Sequence, residues 1–103
     1  MNSISVVIPA RNACTTIQQA IASCLRSQDI VEVVVVDDGS WDDTVQIART
    51  MDTSERVRIV DGPHRGIAAA LNTGFEACRG DLVARCDADD LIEPSRFDWQ
   101  VAA

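Results

Sequence analysis

The sequence predicts an α/β fold, a mostly parallel sheet with helices on both faces in three layers. Three observations lead there. Short apolar runs alternate with stretches of helical periodicity, in the order β-α-β-α-β-α-β-α. The run Val31 to Val36 is all valine except for Glu32, too apolar for a strand with one wet face, so it reads as a central strand covered on both sides. The connections between these elements are short, as in crossover units.

Each element has its own signal. Ile4-Ser5-Val6-Val7-Ile8 is a short apolar strand, expected to end at Pro9. After the polar turn Ala10-Arg11-Asn12 a first helix is expected, with Ile17, Ala20, Ile21, Cys24 and Leu25 on one face. Asn12 is placed to cap that helix or to hold the loop. The valine strand runs into Asp37-Asp38-Gly39-Ser40, and Ser40-x-x-Asp43 has the pattern of a capping box for a second helix with Ile47, Ala48 and Met51 inward. Val57 to Val60 is a third strand, less buried because Arg58 lies on it.

The loop Asp61 to Gly66 leads to the clearest helix, whose stripe is Ile67, Ala70, Leu71, Gly74, Phe75 and Cys78, with Gly80 expected at its C′ position. Leu82 to Cys86 is a fourth strand. Pro94 is expected to open a fourth helix, inside which the sequence stops.

Composition removes several chemistries. With 103 residues the chain is one domain at most. It has nine basic residues, all Arg, and no Lys. Schiff-base chemistry, the P-loop and a phosphoaspartyl receiver each need a Lys, so they are excluded. The G-x-G-x-x-G fingerprint is absent after the first strand, which argues against a dinucleotide cofactor, and no Ser stands in G-x-S-x-G. A net charge of −7 argues against a nucleic-acid groove. The four cysteines form no C-x-x-C pair and read as reduced packing thiols. No segment approaches the length of a membrane span, and no signal peptide is visible.

The polar clusters all follow the carboxyl ends of strands: Arg11-Asn12, Asp37-Asp38, His64-Arg65 and Asp87-Ala88-Asp89-Asp90. Ligands of open α/β sheets bind outside those ends. The opposite loops, around Ser27-Gln28-Asp29 and Thr53-Ser54, carry nothing distinctive. Asp87 and Asp89 offer two hard oxygen ligands with no His or Cys beside them, a set suited to Mg²⁺ or Mn²⁺ bridged to phosphates. Metal and arginines together fit a nucleotide diphosphate. The bland readings stand beside these: Asp37 and Asp38 as charges at the start of the second helix, and His64 as a loop residue.

Several stretches resemble the family 2 glycosyltransferases of the GT-A fold. They are Ile4 through Asn12, Val34 through Ser40 with Asp42-Asp43-Thr44, Gly66 with Asn72-Thr73-Gly74, and Gly80-Asp81 leading to Asp87-Ala88-Asp89-Asp90 and Pro94-Ser95-Arg96-Phe97. Four motifs in the family's order cover almost the whole chain. The resemblance implies a Rossmann-like GT-A half-domain over residues 1–103, incomplete at its C-terminus, that binds the nucleotide sugar. Pro9, Arg11 and Asp38 would line the base and ribose pocket, with Asn12 and Arg65 beside it. Asp87 would approach the ribose or sugar, and Asp89 would bind the metal.

The reaction implied is inverting sugar transfer from a UDP-, GDP- or dTDP-sugar to a sugar, lipid or protein acceptor. The setting implied is cell-envelope polysaccharide synthesis, in the cytoplasm or at the inner face of the membrane. The family's catalytic base lies beyond residue 103, so the chain is expected to be inactive alone. A nucleotidyltransferase of similar fold and a non-catalytic truncated module are the alternatives. The departures from the family are Arg11 where an aromatic is common, Ala13 for an acidic residue, Trp41 for a small polar one and Leu71 for Arg. With its strand partner missing, the edge at Leu82 to Cys86 is expected to lie open and to promote self-association.

Overall fold

A computed structural model describes residues 3–51 and 55–86 and the backbone of 98–101. Its elements are β1 (Ile4–Ala10), α1 (Ile17–Leu25), β2 (Ile30–Asp37), α2 (Thr44–Thr50), β3 (Val57–Asp61), α3 (Ile67–Ala77), β4 (Leu82–Arg85) and β5 (Asp98–Val101). They form one five-stranded sheet in the order β3-β2-β1-β4-β5. β1 pairs in parallel with both β2 and β4, β2 pairs in parallel with β3, and β5 runs antiparallel to β4. The predicted α/β architecture, mostly parallel with helices on both faces, is what the chain adopts.

Strand alternation sorts the core into two layers. Val6, Ile8, Val33, Val35 and Ala84 pack with Ile17, Ile21 and Cys24 of α1 and Ala48 of α2. Val7, Val34, Val36 and Val83 pack with Ala70 of α3, with Leu71, Phe75 and Cys78 against them. β1 is buried along its whole length, so the valine-rich strand beside it has a dry face on either side, as its composition predicts. At Gly74 α3 lies tight against the sheet: a Cβ there would clash with Val7 Cγ1 and come within 3.0 Å of Val36 Cγ2.

Several boundaries differ from expectation, each for a local reason. Pro9 does not end β1; it pairs with Val36 within the strand. The Val7 carbonyl accepts from the Cys86 N–H on the β4 side, and Pro9, two residues on, faces the same side beyond the end of β4. Its missing N–H therefore interrupts no ladder bond. A fourth helix does not extend over Asp98–Val101, which is strand β5, Leu82 pairing with Val101 and Arg85 with Asp98. That antiparallel strand covers the edge of β4 expected to lie open, so the reason for self-association there is removed.

Gly80 is not a left-handed C′ residue. Its N–H donates to Ser5 Oγ at 2.8 Å, and Cys78 is the C-cap of α3, in extended conformation. Nor does the Ser40-x-x-Asp43 capping box form, because the Asp43 at the N-cap of α2 makes no side-chain cap bond.

The amino end of the sheet is richer than its sequence suggests. Glu32, 6% exposed, accepts from Ser5 Oγ (2.6 Å), Arg58 Nη1 (2.8 Å) and the Arg79 N–H. Arg58 Nη1 also donates to Ala77 O at the end of α3 (2.9 Å), and Arg56 donates to Leu25 O at the end of α1 (2.8 Å). Two arginines thus satisfy terminal helix carbonyls that would otherwise lack partners. Burial pushes the Glu32 carboxyl pKa up, but hydrogen bonds from Ser5, Arg79 and Arg58 outweigh it, and the net direction is down. Burial also raises the neighbouring Cys78 thiol to about 11. All four cysteines are free thiols, Cys24 and Cys86 within the core.

Two predictions follow from this packing. Gly74→Ala should destabilise the fold by about 1–3 kcal/mol, the range for overpacking a tight contact, because the clash falls on β-strand valines. A melting temperature equal to the unsubstituted chain's would show that α3 does not sit this close. A depressed carboxyl pKa stabilises the folded state above its unfolded value and loses that contribution as pH falls through the folded one. On acidification below the ordinary value of 4.5, Glu32 should therefore give up stability, and Glu32→Gln should lose less on going from neutral to acid pH. Parallel melting-versus-pH curves for the two chains would contradict this.

Candidate donor-binding site

The order of strands reverses between β1 and β4, and in open α/β sheets that reversal opens a crevice at the carboxyl ends. β4 ends at Arg85, paired with Val7, while β1 continues for three more residues. At this end of the sheet a cavity of about 220 Å³ is lined by Pro9, Ala10, Arg11, Asp38, Gly66, Ile67 and Ala70. Pro9, Ala10, Ile67 and Ala70 make it largely apolar. Arg11 is exposed at its rim.

Asp38 is the polar group inside, 8% exposed. Its N–H donates to Ala10 O at 2.8 Å, which ties the end of β2 to β1. Its Oδ2 accepts from the Gly66 N–H at 3.2 Å. Its Oδ1 is buried and has no hydrogen-bond partner among the described residues. Gly66 has φ +100°, a left-handed conformation that side chains disfavour, and it is the N-cap of α3. The Asp38 carboxylate therefore sits on the positive end of that helix, which offsets its charge. A buried acceptor with an unused oxygen is costly unless a donor reaches it.

The structure brings Pro9, Arg11 and Asp38 together, three of the residues the sequence put forward. Asn12 lies one residue beyond the lining. It does not cap α1, whose N-cap is Thr16. With φ 52°, its N–H donates to Ser40 Oγ (2.9 Å) and its Oδ1 accepts from the Trp41 N–H (3.0 Å). Arg65 is exposed next to Gly66 and does not line the cavity. His64 pairs with Asp61 at 3.2 Å, as a loop residue would. Asp87 and Asp89 lie outside the described residues, and among those described no group of three or more His, Cys, Asp or Glu could hold a metal.

Sequence reasoning missed Ala10, Ile67 and Ala70 as lining, since small apolar residues carry no chemical flag. It also missed the work of Asp42 and Thr44. Neither Asp37 nor Asp38 caps α2. Asp37 Oδ1 accepts from the Ser40 N–H at 3.2 Å, closing a turn over Gly39. Asp42, one residue before the N-cap Asp43, closes a turn onto the first residue of the helix: its Oδ1 accepts from the Thr44 N–H at 3.0 Å and from the Thr44 hydroxyl. That hydroxyl bond and the neighbouring N–H bonds hold the Asp42 carboxyl down to about 2, against an opposing effect of burial. The same carboxylate raises the Cys14 thiol pKa through a hydrogen bond. Trp41 is 86% exposed, so it packs on neither neighbouring helix.

A mostly parallel sheet with a cavity at the carboxyl ends of β1 and β2 has the architecture of an open α/β ligand-binding domain, and comparison with known proteins specifies the class. The profile of "Glycosyl transferase family 2" matches residues 5–103. The chain belongs to this family. It is 40% identical over 96 residues to the succinoglycan biosynthesis protein ExoU of Rhizobium meliloti, covering 91% of this chain and 28% of that protein.

Among solved structures, the mannosyltransferase PcManGT from Pyrobaculum calidifontis, in complex with GDP-Man and Mn²⁺, superposes with a TM-score of 0.79 at 30% identity, over 87% of this chain and 28% of that one. Glucosyl-3-phosphoglycerate synthase from Mycobacterium tuberculosis, with Mn²⁺, UDP-Glc and phosphoglyceric acid, gives 0.74 at 36% identity, over 90% of this chain and 35% of that one. The chain thus spans little more than a third of these proteins at most. Among the described residues no helix is long and apolar enough to cross a membrane.

The Asp42 carboxyl offers a direct check on the loop geometry. Its lowered pKa means that its bonds persist as pH falls past 3.8, its ordinary value, and are lost near the folded value of about 2. In an NMR pH titration the Cys14 and Thr44 amide shifts should move with a midpoint near that lower value. A midpoint near the ordinary value would show that the carboxylate is not engaged as described.

Proposed function

We propose that this chain is the donor-binding half of an inverting glycosyltransferase domain that takes a nucleotide-diphosphate sugar with a divalent metal. The single observation that carries the reading is Asp38: a buried carboxylate, one oxygen without a partner among the described residues, in a cavity with apolar walls. What satisfies it is a flat group with apolar faces and an N–H on its edge. The ring N–H of uracil, thymine or guanine meets that description, and the GDP- and UDP-linked ligands of the structural relatives carry two of these bases. A phosphate does not suit the same spot, because Asp38 already offsets the α3 terminus and would repel a second anion.

The base therefore belongs at Asp38, with Pro9 and Arg11 along the base and ribose and Asn12 and Arg65 near the rim. The diphosphate then extends past β1 toward the end of β4, where residues 87–89 follow. Two carboxylates there, Asp87 and Asp89, fit Mg²⁺ or Mn²⁺ by the hardness of their donors, and the two relatives above hold Mn²⁺. The metal, when bound, neutralises charge on the departing nucleoside diphosphate. Asp89 is the metal ligand in this reading, and Asp87 approaches the ribose or sugar. No residue is assigned as the base that deprotonates the acceptor, a sugar, lipid or protein hydroxyl, so binding without turnover is the outcome expected of this chain. Its four free thiols suit the reducing cytoplasm.

Calorimetric titration with UDP, GDP and dTDP, each with and without Mn²⁺, tests the reading. One nucleotide should bind in a metal-dependent way. Asp38→Ala should weaken it about tenfold or more, and Asp89→Ala should abolish the effect of Mn²⁺. Binding of no nucleotide, or of all three equally in both variants, would overturn it.

A further inference from the structure

The wall of the cavity formed by β1 does not end with the strand. Arg11 lies beyond Ala10, in a segment without regular structure before α1. What holds that segment is a set of bonds to the loop between β2 and α2. The Asn12 N–H reaches Ser40 Oγ at 2.9 Å, the Trp41 N–H returns to Asn12 Oδ1 at 3.0 Å, the Ala13 N–H reaches Thr44 Oγ1 at 2.8 Å and the Cys14 N–H reaches Asp42 Oδ2 at 3.3 Å. Three consecutive backbone N–H groups, 12 to 14, are thus received by three side chains of one neighbouring loop.

Thr44 is the centre of this lacing. It is fully buried, and its hydroxyl accepts from Ala13 while donating to Asp42 Oδ1. Only a hydroxyl performs both tasks in so small a space. Asp42 in turn receives the Thr44 and Cys14 N–H groups, so its carboxylate is committed to holding the loop.

We infer that Thr44, acting through Asp42 and the Ala13 N–H, is a positioning residue for the donor pocket, fixing the segment that presents Arg11 opposite Asp38. The other walls have their own ties: Gly66 to Asp38 Oδ2, and Asp38 N–H to Ala10 O. The Thr44 lacing supplies the corresponding tie past Ala10. This inference rests on the nucleotide reading above.

The test compares Thr44→Val, which keeps the shape and loses the hydroxyl, with Thr44→Ser, which keeps the hydroxyl, and with Ser5→Ala at the opposite end of the sheet. The readouts are the Kd of the nucleotide that the unsubstituted chain binds, amide hydrogen exchange at residues 12–14, and the melting temperature. Thr44→Val should raise Kd by about tenfold and speed exchange at 12–14 by a similar factor, since the Ala13 N–H loses its partner. Thr44→Ser should restore both, and Ser5→Ala should lower the melting temperature while leaving Kd unchanged. An unchanged Kd in Thr44→Val, or an equal rise in Ser5→Ala, overturns the inference while the donor-pocket reading stands. Absence of nucleotide binding by the unsubstituted chain overturns that reading, and the inference with it.

Discussion

Everything at the site depends on where β1 lies. It is the middle strand, hydrogen-bonded in parallel to β2 and β4, and buried over its full length. A strand covered on two faces and paired on two edges has no free surface along its body. Its chemistry is confined to the carboxyl end, and so is that of β2, whose last buried residue is followed by Asp37 and Asp38. Because β4 stops at Arg85, paired with Val7, β1 runs on to Ala10 past the end of that ladder. Pro9 is tolerated there for that reason, and the same geometry opens the crevice.

The two ends of the sheet use carboxylates in opposite ways. At the amino end, Glu32 is buried with its oxygens fully engaged by Ser5, Arg58 and Arg79. A buried ion pair of this kind is weak support for net stability, but here it also receives the chain at Arg79 and Gly80, fixing how α3 turns into β4. At the carboxyl end, Asp42 is engaged in the same sense, every bond serving the fold. Asp38 differs from both: it is nearly as buried as Glu32 yet keeps an oxygen without a partner among the described residues. That difference, rather than acidity as such, is what singles out Asp38 as the proposed ligand group among the described acidic residues.

The sequence was informative where a physical signal is periodic or spaced. The stripes Ile17-Ala20-Ile21-Cys24 and Ala70-Gly74 gave α1 and α3, and the valine run gave a strand dry on both faces. Arg11 and Asp38 were legible because polar residues at the ends of apolar runs are conspicuous, and Pro9 was put forward by the family resemblance of the first strand. The misses share a cause: they depend on partners distant in the chain. Ser40-x-x-Asp43 is a capping pattern in one dimension, but Ser40 Oγ is taken by Asn12, 28 residues away, and Asp37, Asp42 and Thr44 close the turn instead. Gly80 has the spacing of a helix stop, but its glycine is explained by the approach to Ser5 of β1. β5 was read as helix because Pro94 is a common first helical residue, while the antiparallel pairing of Asp98–Val101 with β4 is set by the free edge of that strand, which no local pattern records.

On the reading proposed above, this division of labour is what would let an acidic chain hold an anionic ligand. Of the carboxylates after β2, Asp37 and Asp42 are turned to backbone N–H groups of their own loop and of the β1–α1 segment, where hydrogen bonds absorb their charge. Asp38 rests on the N-terminus of α3, where the helix dipole does the same. The charge of these three carboxylates is thereby turned toward backbone donors. Arg11 and Arg65 remain at the rim as exposed charge. On that reading, a nucleotide diphosphate approaching from solvent would meet guanidinium groups first and a carboxylate only where its base, not its phosphate, arrives. The same acidic count distributed without those donors would repel the ligand. The loops therefore do more than connect: they commit Asp37, Asp42 and one oxygen of Asp38 to backbone donors beside the crevice.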